Sequence, residues 1–319
     1  MIGQKKSKIP FDMFTLARSV EEARAAVKLR SMYHRGQDLA WDGREVLSSL
    51  IAKHGGIQLP EEKRRALSKI FEIILWGELA AWRISSELAA AIEPLEAKMA
   101  ATSQAHDEAR HFYVMYDYLT ALGYQPTHID PRAQKVLDLV LDTDNLAHKL
   151  LGMQLMIETT ALTIFAAVRE LHTEPVLSEL LVYFEKDEAR HVGLGIQYLP
   201  ELLKRMSRTE GLATLAFQLR LIYLELASLK SMETELKAVG IHPPDLIRNG
   251  KTRQLAAFQE MWSQPGAKRT EADRKITVVV QKTINAAEEY FFMTSSKDGL
   301  WKRLSAAREA FAREVPASV

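Results

Sequence analysis

The 319-residue sequence contains no cysteine. That absence removes disulfide frameworks, thiolate zinc sites, iron–sulfur clusters and cysteine nucleophiles, so any bound metal must use oxygen and nitrogen ligands. An excess of charge of one sign is missing too. The 42 Lys and Arg residues against 41 Asp and Glu give a formal net charge of +1, too weak a field to point to nucleic acid or an anionic membrane. The short basic stretch Gln4-Lys5-Lys6-Ser7-Lys8 reads as a solvated end. It runs into Ile9-Pro10-Phe11-Asp12 without the apolar core of a secretory signal, and the apolar stretch 212–229 is interrupted by Arg220 and Glu225. A cytoplasmic protein with no nucleic-acid or membrane partner is the expectation.

Glycine and proline are sparse, at 15 and 11 residues, while apolar residues make up 47% and charged residues 26%. This is ordinary globular usage, with enough side chains for a large core. Apolar residues recur at three- and four-residue spacing around Leu67, Ile70, Ile74 and Leu75, and again around Leu151, Leu155, Leu162 and Phe165, which is helical periodicity. Helices are predicted near 15–34, 37–53, 61–92, 97–122, 131–172 with a break near 143, 175–206, 209–239, 252–262, 271–294 and 297–314. Pro60, Gly123, Pro131, Pro175, Gly240 and Pro243-Pro244 supply start and stop signals. The segment 240–251 reads as a linker. The expected fold class is all-α: a bundle at 61–206, N-terminal helices at 1–60 packing on it, and accessory helices at 207–319 of the same domain.

The most informative feature is a duplicated pentapeptide, Asp107-Glu108-Ala109-Arg110-His111 and Asp187-Glu188-Ala189-Arg190-His191, 80 positions apart. Each copy is Glu-x-x-His on a predicted helix, and a spacing of three brings both side chains to one face, where they can grip a metal ion. A single copy would mean little. A second spacing decides: Glu78 precedes Glu108 by 30 residues and Glu158 precedes Glu188 by 30, the length of a helix, a tight turn and a return to the same level. Glu78 and Glu158 are each the one acid of an apolar run, Ile73–Trp82 and Leu155–Leu162. A carboxylate buried without a partner costs several kcal/mol by order of magnitude, so four carboxylates meeting two imidazoles in a core would require cations. Two divalent ions meet that need.

Four antiparallel helices supplying Glu, Glu-x-x-His, Glu, Glu-x-x-His are the ligand pattern of ferritin-like di-iron and di-manganese carboxylate proteins, and over roughly 61–206 the sequence resembles that superfamily. The Asp-Glu-Ala-Arg-His signatures look most like the branch that holds ribonucleotide reductase small subunits, acyl-carrier-protein desaturases, bacterial multicomponent monooxygenases and related ligand-binding oxidases. The resemblance implies a ferritin-like four-helix bundle with flanking helices and oxygen activation at two iron ions, Fe/Fe or Mn/Fe. Glu78, Glu108, His111, Glu158, Glu188 and His191 would be the ligands. It also implies that Asp107 and Asp187 orient a histidine ring on a neighbouring helix, with Arg110 and Arg190 paired to them.

The expected activity is O2-dependent oxidation of a small organic or acyl substrate by hydroxylation, desaturation or N-oxygenation. Reducing equivalents would come from an external ferredoxin or flavoprotein reductase, and a homodimer is expected. Two alternatives compete. A ribonucleotide reductase-like radical generator would place a tyrosine one turn after His111, where Met115 stands instead. An iron-storage or ferroxidase protein would not need the roughly one hundred residues beyond the bundle. Phe184 occupies the position where some di-iron N-oxygenases carry an extra histidine. Met115 and Gly195 sit at equivalent places one turn beyond the two histidines and are the candidate pocket positions. Trp262, Tyr290, Phe291, Phe292 and Trp301 are expected chiefly to pack in the core.

Overall fold

A computed structural model of the chain describes residues 16–264, 270–294 and 298–315. The basic stretch at 4–8, the segment Ile9–Asp12 and the last residues, Pro316 to Val319, lie outside the described residues. So does the expected start of the last helix at 297.

Four long antiparallel helices form the centre. The first two are α4 (Glu61–Ala91) and α5 (Leu95–Ala121), joined by a connection so short that the chain must reverse at once. The third is one continuous helix, Leu146–Glu170, made of α7 (Leu146–Lys149), a π-helical stretch (Leu150–Ile157) and α8 (Glu158–Glu170). The fourth is α9 (Pro175–Lys204). Their apolar stripes meet in a core that includes Leu67, Ile70, Phe71, Ile84, Val114, Leu155, Phe165 and Leu180. No strand occurs among the described residues.

Local chemistry sets the helix ends. Asp130 caps α6 (Pro131–Leu141) by accepting the backbone N–H groups of Arg132 and Ala133, with Pro131 in the first turn. Glu174 does the same for α9 through Val176 and Leu177. Its Oε2 also accepts the Tyr118 hydroxyl at 3.0 Å, which ties the start of α9 to α5. Gly123 at φ +76° and Gly240 at φ +94° take the left-handed conformation that ends a helix.

Around the bundle, α1 (Leu16–Ala25), α2 (Val27–Asp38) and α3 (Gly43–Lys53) precede α4, and α2 packs on α5 and α9. After α9 come α10 (Arg208–Ser231), α11 (Glu233–Ala238), α12 (Pro243–Trp262), α13 (Glu271–Glu288), a π-helical stretch (Glu289–Met293) and α14 (Leu300–Ala312). Leu146–Glu170 and Arg208–Ser231 are long and apolar enough to cross a membrane by composition, yet here both are packed sides of the helical body.

Three expectations need correction. The segment 240–251 is not a linker: Pro243 and Pro244 sit in the first turn of α12, where a proline loses no helical hydrogen bond and its φ suits the helix. The first expected helix is broken at Ala26, whose ψ of 66° is not helical. Trp301 is 82% exposed and no part of the core, although Phe291 belongs to the core and Trp262, Tyr290 and Phe292 pack against that core.

Candidate metal centre

Each long helix brings its acid to one level of the bundle: α4 carries Glu78, α5 carries Glu108 and His111, α8 opens on Glu158, and α9 carries Glu188 and His191. All six side chains are buried. Ligand atoms of Glu78, Glu108, His111 and Glu188 lie within 4.8 Å of one another, as do those of Glu108, Glu158, Glu188 and His191. Glu108 and Glu188 belong to both sets, so the arrangement offers two adjoining positions with shared carboxylates. His111 Nδ1 lies 3.1 Å from Glu188, 3.4 Å from Glu78 and 3.5 Å from Glu108. His191 Nδ1 lies 3.0 Å from Glu108 and 3.2 Å from Glu188.

The donor set fits a pair of divalent cations. Glu108 Oε2, His111 Nδ1 and Glu158 Oε2 are buried without a hydrogen-bond partner, a costly condition that metal ligation relieves. Carboxylate with imidazole, and no thiolate, suits iron or manganese.

A crosswise ionic frame holds the imidazoles. Asp187 on α9 accepts the Nε2–H of His111 on α5 at 3.1 Å, and Asp107 on α5 accepts that of His191 on α9 at 3.3 Å. With Nε2 committed as donor, each ring turns Nδ1 toward the acids. Arg110 donates to both aspartates at 2.6 and 2.8 Å, and Arg190 does so at 2.8 and 2.7 Å. These four residues come from the two pentapeptides, and two further neighbours carry no sequence motif. Trp41, in the turn between α2 and α3, donates its indole N–H to Asp187 at 2.8 Å and stacks under Arg110. Gln104, one turn before Glu108, donates to Glu108 at 3.0 Å and to Glu158 at 2.6 Å. Phe184 lies flat on His111, with ring centroids 4.3 Å apart.

The acids divide by environment. Burial, reinforced by repulsion from Glu188 and Glu108, pushes Glu78 and Glu158 well above the ordinary carboxylate value. Burial works the same way on Glu108, but the two imidazoles outweigh it and hold this carboxyl far below the ordinary value. For His111 and His191 burial opposes the charge. The surrounding carboxylates win, and both are raised well above the usual imidazole value.

No protein-family profile matches the sequence, and no curated protein resembles it significantly. Solved structures do match. A protein with aldehyde deformylating oxidase activity from Synechococcus shares 18% identity at a TM-score of 0.55, over 68% of this chain and 96% of that one. A variant of an R2-like ligand-binding oxidase with a Mn/Fe cofactor matches at 15% identity and a TM-score of 0.61, over 73% of this chain and 92% of its own. Another variant of that oxidase, reconstituted with Fe/Fe, matches at 14% and 0.60, with the same coverage. The fold is the ferritin-like helical bundle.

Within this ferritin-like bundle the four clustered carboxylates face a cavity of about 100 Å³, of the order of the ~150 Å³ hole that admits benzene. Its wall includes the carboxylates Glu78, Glu108, Glu158 and Glu188, apolar residues such as Ile73, Val136 and Ile164, and Gly77. Met115 is fully buried, but neither it nor Gly195 lines the cavity. The pocket expectation is corrected accordingly. A Cβ on Gly195 would stand 3.0 Å from Gln154 Cβ and 3.1 Å from Leu155 Cδ2, so this glycine lets α9 approach the π-helical stretch. A Cβ on Gly77 would meet nothing within 4 Å. Gly77, directly before Glu78, is the glycine that leaves space in the cavity beside the carboxylates.

The two glycines therefore predict opposite outcomes. Gly195→Leu overpacks and is expected to destabilise the protein by roughly 1–3 kcal/mol or more. Gly77→Leu is expected to keep the melting temperature and the metal content while blocking the cavity to small ligands. Thermal melts and metal analysis of both variants check this. A Gly77→Leu protein that melts as low as Gly195→Leu would contradict the assignment.

Proposed function

We propose that the protein is a non-haem metal-dependent oxidase that uses O2 to oxidise a small organic substrate bound in the cavity beside Glu78, Glu108, Glu158 and Glu188. Glu78 with His111 would hold one iron ion, Glu158 with His191 the other, and Glu108 and Glu188 would reach both, in an Fe/Fe or Mn/Fe pair. The ion pair, when bound, supplies the two-electron reduction of dioxygen. The chain supplies the rest. The Asp107, Asp187, Arg110 and Arg190 frame fixes both rings, Gln104 holds Glu108 and Glu158 together, and the apolar wall excludes water from the substrate side.

The observation that carries the reading is the shared wall: the same four carboxylates that would grip the metals border an apolar cavity able to take an organic molecule. The matched structures, oxidases by name, favour the same chemistry. An iron-storage role leaves the cavity without purpose, and α10, from outside the four bundle helices, contributes Glu225, Ser228 and Leu229 to its wall. A radical generator is less well supported, because among the described residues no tyrosine lines the cavity. Electrons between turnovers would come from an external ferredoxin or flavoprotein, and we extend the proposal to a homodimer in the cytoplasm.

The test is anaerobic loading with iron(II), metal analysis, then exposure to air with candidate substrates. Two ions per chain and O2-dependent product are expected. A pure, folded protein that takes up no metal would sink the idea, and a cage-sized particle in size-exclusion chromatography would favour storage.

A further inference from the structure

Apart from the metal ligands, the residues lining the cavity include one ionisable side chain, Glu225 on α10. A carboxyl in an apolar wall needs a reason, because its uncompensated charge is costly there. The structure gives it one hydrogen bond, from the Thr160 hydroxyl at 3.1 Å. Among the described residues no Lys, Arg or His pairs with it. Burial raises it to about 7, with Thr160 opposing, and no cation contributes. Thr160, Glu225 and Leu229 also border a second, outer cavity of about 70 Å³ that reaches Lys251 and Gln254. Lys251 is engaged elsewhere, donating to Asn285 at 2.6 Å. Glu225 thus stands where an inner apolar chamber beside the metals meets an outer one, with hydrogen-bonding capacity to spare.

We propose that Glu225 is the polar anchor of the substrate site, and that the site takes a primary amine carried on a small apolar body. The ammonium group would sit against Glu225 and Thr160, and the hydrocarbon part would occupy the chamber bordered by Ile73, Val136 and Ile164. An amine compensates the half-buried Glu225 carboxylate, whereas an acid of the same size would be repelled by it. An alcohol can donate one hydrogen bond but brings no charge. The inference rests on the oxidase reading for the identity of the site as a substrate site, and its test is independent of turnover.

Benzylamine, benzyl alcohol and benzoate are nearly equal in size and differ in charge. Each is titrated calorimetrically into the metal-loaded protein, into Glu225→Gln and into Glu225→Asp. Benzylamine is expected to bind the wild type tightest and benzoate weakest. Glu225→Gln should weaken benzylamine roughly tenfold or more, the loss of one charge-assisted hydrogen bond, and leave benzyl alcohol within about twofold. Glu225→Asp should retain part of the amine preference, and it serves as the deciding variant if Glu225→Gln does not fold. Benzylamine binding the wild type no better than benzyl alcohol, or binding wild type and both variants alike because the metals hold it, would overturn the proposal. So would benzoate binding tightest, or no probe binding at all. If the wild type shows the amine preference but consumes no O2 with iron loaded, the oxidase reading fails while the assignment of Glu225 stands.

Discussion

Replacing Glu108 by alanine is expected to abolish metal binding at both positions and to lower the stability of the metal-free protein by roughly 3–5 kcal/mol, the usual result of stripping one partner from a buried ionic cluster. Crowded acids suggest the opposite when only the sequence is read, since deleting one carboxylate relieves repulsion. The geometry reverses that sign for Glu108. It lies 3.0 Å from His191 Nδ1 and 3.5 Å from His111 Nδ1, and both rings are held well above the ordinary imidazole value. Removing Glu108 therefore leaves two buried imidazolium groups short of an anion. Because its own pKa is depressed in the fold, its contribution is present above the ordinary carboxylate range and is lost as pH falls below it. Glu158 is the control: burial raises its pKa, it tends to be neutral without metal, and Glu158→Gln should cost the metal-free protein little. Chelator-treated melts near neutral pH, with metal analysis of the untreated proteins, decide it. A metal-free Glu108→Ala protein that melts at or above the wild type would show that repulsion dominates the cluster.

The clustering of the six candidate ligands was legible in the sequence because Glu-x-x-His is a local property of a helix, and the 30- and 80-residue spacings carry the bundle's repeat. The crosswise aspartates followed from the same pentapeptides. Trp41 was not legible, since it reaches Asp187 across 146 positions from a turn that has no periodicity. Gln104 does sit in helical phase with Glu108, but a glutamine in a helix is too common to stand out. The two glycines show the limit most clearly. Gly77 and Gly195 are each near a ligand in sequence, and only the surroundings of their Cα atoms separate open space from Gln154 and Leu155. In sequence Glu225 is a mere interruption of an apolar stretch; only the fold puts it on the cavity wall, through α10. Pro243-Pro244 misled in the other direction, because a proline pair ends one helix and begins another with equal ease.

Loading the metal-free protein with two divalent ions is expected to release protons at mildly acidic pH, up to four per chain. Glu78 and Glu158 are raised by burial and by neighbouring carboxylates, and His111 and His191 are raised by the acids around them. Ligation needs the first two as carboxylates and the second two with Nδ1 free of its proton. The proton that leaves each ring is therefore the one on Nδ1, because Nε2–H stays bonded to Asp187 or Asp107 and keeps the ring in place. The sign follows directly. Groups whose metal-free pKa is raised compete with the metal more strongly as pH falls, so affinity weakens toward acid. With four protons displaced, the product of the two association constants drops by roughly 10⁴ per pH unit while all four groups remain protonated in the metal-free form. Zinc titration in weakly buffered solution with a pH indicator counts the protons, and repeating it at several pH values gives the slope. Near-zero release across the mildly acidic range would mean that the acids are already ionised and the imidazoles neutral without metal. The cluster would then be a preformed anionic trap instead of one closed by its own protons.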